Sequence, residues 1–544
     1  MATDVLPREV DAVVVGGGHN GLVSAALIAD RGWSVLLLEA QPELGGAIRS
    51  VEDDGWVTDL FSSSYPLARS SPVLDALRLE ELGLRWARAD VAVAHPLGPA
   101  DPQGAVIHRD PEVTAANLGE DHPHDERSWL DLFAEYQRIR GPLLETLLTA
   151  WPPVRAGLRL HKRLGGTAEL LRFSRFLMLP SARMGAELFR GRRGRTLLAG
   201  NAMHADIPPT APGSGLFGWL MMMLAQDVGF PVPVGGAGKL VDALAARASL
   251  LGADIRVGEP VIQIVADGTT AKAVRTASGH TVVARRAIVA DVAVPTLYHE
   301  LLPEASVASR LLADLDRFVW DYPTVKINYR LSGTPQWTAW GARTAGVVHA
   351  GADVDGVVHW SADLETGRLA DTPFALIGQT TCADPSRSPS GTQAMWAYSH
   401  LPRGVADDEA AQQVARHVDA MIERHAPAFG DLILDRAVQT PSALNAADAN
   451  LVGGAINGGT AQIFQQLVFR PSVGLGGPRT PIDRLYVGSA GTHPGGGVHG
   501  ACGALAARAA LTDNGMFGGA RRRAVARAVS RFYRSHSDAP SSSD

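Results

Sequence analysis

Cysteine is almost missing from this chain: Cys382 and Cys502 are the only two in 544 residues. They lie far apart and form no C-x-x-C, which excludes a disulfide framework and a dithiol redox centre and fits a reducing compartment. Long apolar runs are also lacking. None reaches the ~18 residues of a membrane span, and the longest, Gly215 to Ala225 (GLFGWLMMMLA), reads as a buried helix. Nor is there an excess of positive charge: the net charge is −6, so nothing general attracts the chain to nucleic acid. Lysine occurs only at 162, 239, 272 and 326, leaving arginine as nearly all of the positive charge. The first residues lack the basic, apolar leader of a signal or transit peptide, so a cytoplasmic location is expected. What remains is 46% apolar and 19% charged, a globular composition on a chain too long for one core, and two or three domains are expected.

Glycine is where the sequence is rich. Val10 to Val15 is a β-branched apolar run that stops at glycine, and apolar residues return at helical spacing from Leu22 through Ile28. Gly16, Gly18 and Gly21 therefore place G-x-G-x-x-G between a strand and a helix. In that position the first glycine serves the turn, the second lets a pyrophosphate approach the backbone, and the third lets helix and strand pack closely. The phosphates would sit on free N–H groups at the positive end of the helix. A second strand, Ser34 to Leu38, ends at Glu39 and Ala40, and a carboxylate about 20 residues past the glycines suits a ribose 2′-hydroxyl and repels a 2′-phosphate. The motif predicts a dinucleotide other than NADP and leaves NAD and FAD both open.

A second glycine pair follows at Gly45 and Gly46, with Ala47 and then Arg49. A simple NAD domain has no use for it, whereas a longer cofactor needs a backbone passing close by and a cation near its charge. From Pro66 to about Pro231 the pattern is helical and irregular. Between 155 and 195 many arginines and Lys162 alternate with leucine and phenylalanine and face only Glu169 and Glu187. Such a stretch suits either an anionic bilayer surface or a solvated helix face. Residues 235–291 return to regular structure, a helix followed by short strands with turns at Asp267–Gly268 and Ser278–Gly279. Gly238–Lys239 is no phosphate loop, because Pro233 and Leu240 stand where a glycine and a hydroxyl are required. Further strands are expected at Thr324 to Leu331 and Thr392 to Ser399, with a helix near Asp407 to His425 whose Val414, Val418, Met421 and Ile422 form a core face. The last ordered block, 484–511, reads as strand, glycine-rich loop and helix, and 516–544 as a basic helix with a disordered tail.

Taken together, VVVGGGHNGLVSAALIADRGWSVLLLEA, LGGAIRS, PVGGAGKLVDALA and LYVGSAGTHPGGGVHGACG resemble the phytoene desaturase-like flavoprotein oxidoreductases. Flavoprotein-type bacterial carotenoid ketolases and the pyridine nucleotide-disulphide oxidoreductase domain-containing protein 2 group are members of this set. The resemblance spans nearly the whole chain and implies FAD. It implies an α/β fold, a Rossmann-like FAD-binding domain of the glutathione reductase/amine oxidase type interleaved with a mixed α+β substrate domain. The corresponding division is 1–70, 232–295 and 455–515 for FAD, and 71–231 with 296–454 for substrate. By resemblance, Gly16, Gly18, His19, Asn20 and Gly21 meet the pyrophosphate and Glu39 the adenosine ribose. Gly45, Gly46, Ala47 and Arg49 run beside pyrophosphate and flavin, Val261 meets adenine, and Gly488 lies at the ribityl chain. His493, Pro494, Gly495, Gly496, Gly497 and Val498 border the isoalloxazine. Ser489 departs from the acidic residue that many relatives carry there, which touches only the ribityl or pyrophosphate contact.

The expected chemistry is dehydrogenation or oxygenation of an apolar, polyene or lipid-like small molecule by hydride transfer to flavin. No second nucleotide fingerprint follows a strand, so oxygen or a quinone is the expected acceptor. His493 and His204 are the candidate catalytic residues, each weighed against a plain loop histidine. No metal site is expected. Two alternatives remain: a lipid- or prenyl-binding protein without flavin, as GDP dissociation inhibitors show for this fold, and a flavin amine oxidase. The intact glycines argue against the first. Scarce aromatics, 6% and none in the C-terminal loop, argue against the second.

Overall fold

The computed structural model describes residues 6–98, 102–405 and 407–516, and beyond these 518, 519, 522, 524, 525 and 533. Strand Glu9–Val15 is central to the first of two large sheets and buries all but its first residue. Its neighbours Val35–Leu38 and Thr281–Ala290 are both parallel to it. Ala12 and Val14 pack into the core built by helices His19–Ala29, Gly238–Leu250 and Ala501–Asp513, while Val13 and Val15 face Leu297, Tyr298 and Leu311 on the other side. A parallel strand covered on both faces reads as an unbroken apolar run, which is why this segment shows no alternation.

Ala253–Arg256 extends the sheet beyond Val35–Leu38. On the opposite side, the antiparallel strands Val261–Asp267 and Thr270–Thr276 extend it beyond Thr281–Ala290. The expected turn glycines, Gly268 and Gly279, sit at φ +57° and +88°. Leu485–Val487, almost 200 residues later by the numbering, pairs in parallel with Ile288–Ala290 and so returns the C-terminal block to the N-terminal crevice.

The second sheet runs Ile433–Gln439, Thr324–Leu331, Gln393–His400, Ala375–Gln379, Ala345–Ala350, Val91–His95, Ala105–His108. Its pairs are antiparallel except for Ala345–Ala350 with Val91–His95. Helix Asp408–His425 lays Val414, Val418, Met421 and Ile422 against it, the core face its spacing predicts. At the far edge, Pro123–Leu147, Arg192–Ala202 and Ser214–Asp227 close a helical layer, and the last buries the expected GLFGWLMMMLA run.

One ion cluster ties the two regions together. Arg387, fully buried, donates to Asp59 Oδ2 at 2.9 Å, Asp384 Oδ2 at 2.9 Å and the Pro233 carbonyl at 3.0 Å. Asp59 in turn accepts from the Ala237 N–H and from Ser50 and Ser63, so every charge has partners.

The basic segment forms helices Val154–Leu164, Thr167–Met178 and Ser181–Leu188 before Arg192–Ala202. Its opposing charge is larger than the sequence implies. Besides Glu169 and Glu187, Glu145 pairs with Arg159, Glu120 with Arg193 and Asp353 with Arg192, acids that distant segments bring in. Thr167–Met178 buries no residue, and Val154, Leu158 and Leu171 are 64–66% exposed. Among the described residues no helix is long and apolar enough to cross a membrane. The basic helix and tail expected over 516–544 fall largely outside the described residues.

Candidate cofactor crevice and substrate cavity

The strand ends at Val15 and the chain turns sharply. Gly16 takes φ +101°, and a Cβ there would stand 2.6 Å from the Asp291 carbonyl oxygen. A Cβ on Gly21 would stand 2.0 Å from the Gly16 carbonyl oxygen, so helix His19–Ala29 can sit on the turn only with glycine. Glu39, at the end of the second strand, accepts from the Gly17 N–H at 2.6 Å and the Gln41 N–H at 2.8 Å. Its carboxylate thus braces the fingerprint loop directly.

The second glycine pair lies against the first: the Gly45 N–H donates to the Gly17 carbonyl at 3.0 Å, and Gly18 and Gly45 form a parallel bridge. The C-terminal block closes the crevice from the other side. The Gly488 N–H donates to the Ala290 carbonyl at 2.8 Å, and Ser24 Oγ donates to the Gly503 carbonyl at 2.9 Å. A single cavity is lined by Gly18, His19, Asn20, Gly45, Gly46, Ala47, Ser489, Pro494, Gly496, Gly497 and Val498. Segments from both ends of the chain therefore share one space.

Other expected site residues stand apart from that lining. Gly16, Gly21, Glu39, Gly488 and Gly495 act behind it, as turn, brace and strand end. Ala40 follows Glu39 and is exposed, and Val261 opens its strand at the sheet edge. Arg49 donates from Nη2 to the Ala447 carbonyl at 2.8 Å and stacks over Phe61, while its Nε is buried without a partner. His493 is 5% exposed, and its Nε2 meets the Thr149 carbonyl at 2.9 Å. Burial lowers its pKa, so it is a neutral strut between the loop and the helical layer. His204 does line the cavity.

Two groups that sequence reasoning missed also line it. Asp291 ends strand Thr281–Ala290 and accepts from the Gly21 N–H at 2.7 Å. Burial raises its carboxyl to about 7, and the charges of Asp448 and Glu39 push the same way. Lys326, on Thr324–Leu331, donates from Nζ to the Asp59 carbonyl at 2.6 Å and to Asn328. Burial lowers it to about 7. An acid closing an apolar strand and one of only four lysines were the signals available, and neither has a spacing that marks it.

Seven aromatic side chains, Phe61, Tyr65, Phe217, Phe230, Trp320, Trp396 and Tyr398, line the cavity with Met221, Val347, Leu444 and Ile456, and Ser62, Asn450, Asn457 and Gln466 are among its polar residues. Aromatics are few in the chain yet concentrated here, contrary to what overall composition predicts.

The crevice fits a dinucleotide longer than NAD. Close-approach glycines from three separate segments face one space, and the buried polar atoms His19 Nε2, Arg49 Nε and Ser489 Oγ have no protein partner. The family model of flavin containing amine oxidoreductases matches residues 21–511. The chain belongs to this family. Similar curated proteins include the mouse (Mus musculus) pyridine nucleotide-disulfide oxidoreductase domain-containing protein 2, 25% identical with 93% of this chain and 94% of that protein covered. A limonene dehydrogenase polypeptide of Castellaniella defragrans is 24% identical over 94% of this chain and 96% of its own. The zeta-carotene-forming phytoene desaturase of Myxococcus xanthus is 25% identical over 89% and 90%. Among solved structures, an oxidoreductase from Methanosarcina mazei aligns with a TM-score of 0.58 at 15% identity, covering 92% of this chain and 99% of that one. The flavin oxidoreductase is thus FAD-dependent, with the Rossmann-like FAD domain and substrate domain that its motifs resemble, and the phytoene desaturase likeness holds over most of its length.

Proposed function

We propose that this FAD-dependent oxidoreductase dehydrogenates or oxygenates an apolar, polyene or lipid-like molecule, with oxygen or a quinone as the final acceptor. The observation that carries the reading is the composition of the shared cavity: the cofactor glycines and seven aromatic side chains line one space. The named relatives that act on limonene and on carotene precursors support an apolar substrate. In this reading 1–70, 232–295 and 455–515 form the FAD domain and the remaining ordered segments the substrate domain.

Gly18, His19, Asn20, Gly45, Gly46 and Ala47 would hold the cofactor from the N-terminal side, and Ser489, Pro494, Gly496, Gly497 and Val498 from the C-terminal side. FAD supplies hydride acceptance when bound. The apolar walls exclude water and hold a flat conjugated chain in place. Lys326 Nζ, poised about 7, can hold or release the single proton that accompanies loss of a hydride. His204 is the histidine left near substrate, since His493 points to Thr149.

The test is direct. The purified protein should be yellow, and anaerobic mixing with candidate polyenes should bleach the flavin absorbance. A colourless protein that refuses added FAD would sink the enzyme reading.

Amine oxidation is a second reading, favoured by the aromatic lining. Against it, the lining carboxylates Asp291 and Asp448 lie close to Gly18 and Gly46 of the cofactor crevice. Bleaching by amines and not by polyenes would reverse the order.

The basic helices are proposed as a peripheral contact with an anionic bilayer. Trp151, Val154, Leu158, Leu171 and Met178 are exposed beside Arg155, Lys162 and Arg163, for which no described acid forms an ion pair. Flotation with anionic liposomes should carry the protein upward, and recovery only in the soluble fraction removes this contact.

A further inference from the structure

A chain of three histidines ends in the substrate cavity. His95 and His349 lie on the adjacent parallel strands Val91–His95 and Ala345–Ala350, their rings 5.7 Å apart, and both are fully buried. Room for them comes from Gly200 on the covering helix, where a Cβ would stand 2.6 Å from His349 Nδ1 and 3.0 Å from His95 Nδ1. His349 Nε2 then meets His204 Nε2 at 2.9 Å. His204 stacks on Phe230, ring centroids 5.1 Å apart, and both line the cavity.

The protons on this chain are fixed by their neighbours. His95 Nε2 faces the Ala352 carbonyl at 2.8 Å, so it carries the hydrogen, and its Nδ1 is a bare lone pair. His349 Nδ1 is buried without a partner. Orphaned buried N–H groups are rarer in proteins than under-satisfied acceptors, which puts the His349 hydrogen on Nε2, donating to His204. His204 Nε2 is then the acceptor, and its own hydrogen must be on Nδ1. That nitrogen has no partner among the described residues. Burial holds His204 down to about 3, so it stays neutral at working pH.

The geometry points to His204 Nδ1–H as a specificity donor: the substrate is an apolar molecule that carries an oxygen acceptor, a ketone, ether or hydroxyl, and not a pure hydrocarbon. This rests on the apolar-substrate reading and narrows it. His349 is a positioning residue that sets the tautomer. A hydrocarbon filling the cavity would shut this donor off from water without pairing it, a loss of about tenfold in affinity or more.

The test uses matched pairs on the FAD-loaded full-length protein: limonene with its ketone carvone, and β-carotene with its diketone canthaxanthin. Binding is read from perturbation of the flavin spectrum. The oxygenated partner should bind about tenfold more tightly. His204→Leu should abolish that preference, and His204→Asn, which retains a donor amide, should keep much of it. His349→Phe should shrink the preference with His204 untouched, which covers the case of a poorly folding His204→Leu. Nitrogen-15 spectra of the histidines should show His204 protonated on Nδ1. Equal affinities within pairs, a preference indifferent to His204→Leu, or a hydrogen on Nε2 overturns the proposal. If hydrocarbons still bleach the flavin in that case, the proposed function stands without it. No perturbation by any pair in a yellow protein overturns both.

Discussion

The two ends of the cavity are built from different materials. At the cofactor end the wall is main chain: Gly18 bridged to Gly45, Gly488 hung on Ala290, and Glu39 clamping the Gly17 N–H. At the substrate end the wall is side chain, with Lys326, Trp396 and Tyr398 brought from the second sheet, Trp320 from the segment that leads into it, and Phe217, Met221 and Phe230 from the helical layer and the segment after it. A main-chain wall tolerates no extra atom, and a side-chain wall can change one residue at a time.

The sharpest way to break the contrast is at the seam. Arg387→Met strands Asp59 and Asp384 as unpaired buried charges, and removal of one partner from such a cluster costs about 3–5 kcal/mol. Denaturant unfolding should show that loss even though residue 387 touches neither end of the cavity. A change under about 1 kcal/mol would mean the two regions are joined mainly by apolar packing.

Next in size is Gly21→Ala. The added Cβ cannot coexist with the Gly16 carbonyl at 2.0 Å, and overpacking of this kind costs about 3 kcal/mol. FAD affinity should fall with stability, because the same turn aims the N–H groups. At the other end, Met221→Leu should leave both nearly unchanged, since a volume-conserving swap in an apolar wall costs under about 1.5 kcal/mol. Equal damage from the two variants would erase the distinction.

The same contrast decides what could be read from sequence. Glycine spacing is a local signal of backbone shape, so the crevice was legible: Gly16, Gly18 and Gly21, the second pair, and the C-terminal loop all come to one place. The buried helix Ser214–Asp227 and the apolar face of Asp408–His425 were legible from composition and period. Lys326, Asp291 and the His95–His349–His204 chain were not. Each depends on which strands become neighbours, and His95 and His349 are adjacent only because Val91–His95 pairs with Ala345–Ala350 across 250 residues of numbering. The partner of His493 was hidden for a similar reason, as Thr149 lies in another region of the chain.

The smallest expected effect concerns charge at the main-chain end. Asp291, raised to about 7, takes up a proton in the folded protein that the unfolded chain, with an ordinary carboxyl near 3.8, does not hold at neutral pH. The stability this contributes is full below the unfolded value and is lost as pH rises toward and through about 7. The same proton removes a negative charge beside the site proposed for an anionic pyrophosphate. Titration of the apoprotein with FAD should therefore show Kd rising between pH 6 and 8, by at most about tenfold per unit above the folded pKa. Asp291→Asn keeps an oxygen for the Gly21 N–H and cannot ionise, so its Kd should be flat across that range and close to the wild-type value at pH 6. A wild-type Kd that does not change with pH would mean that the bound pyrophosphate lies beyond reach of this carboxyl, and the main-chain donors alone would then account for the grip on the cofactor.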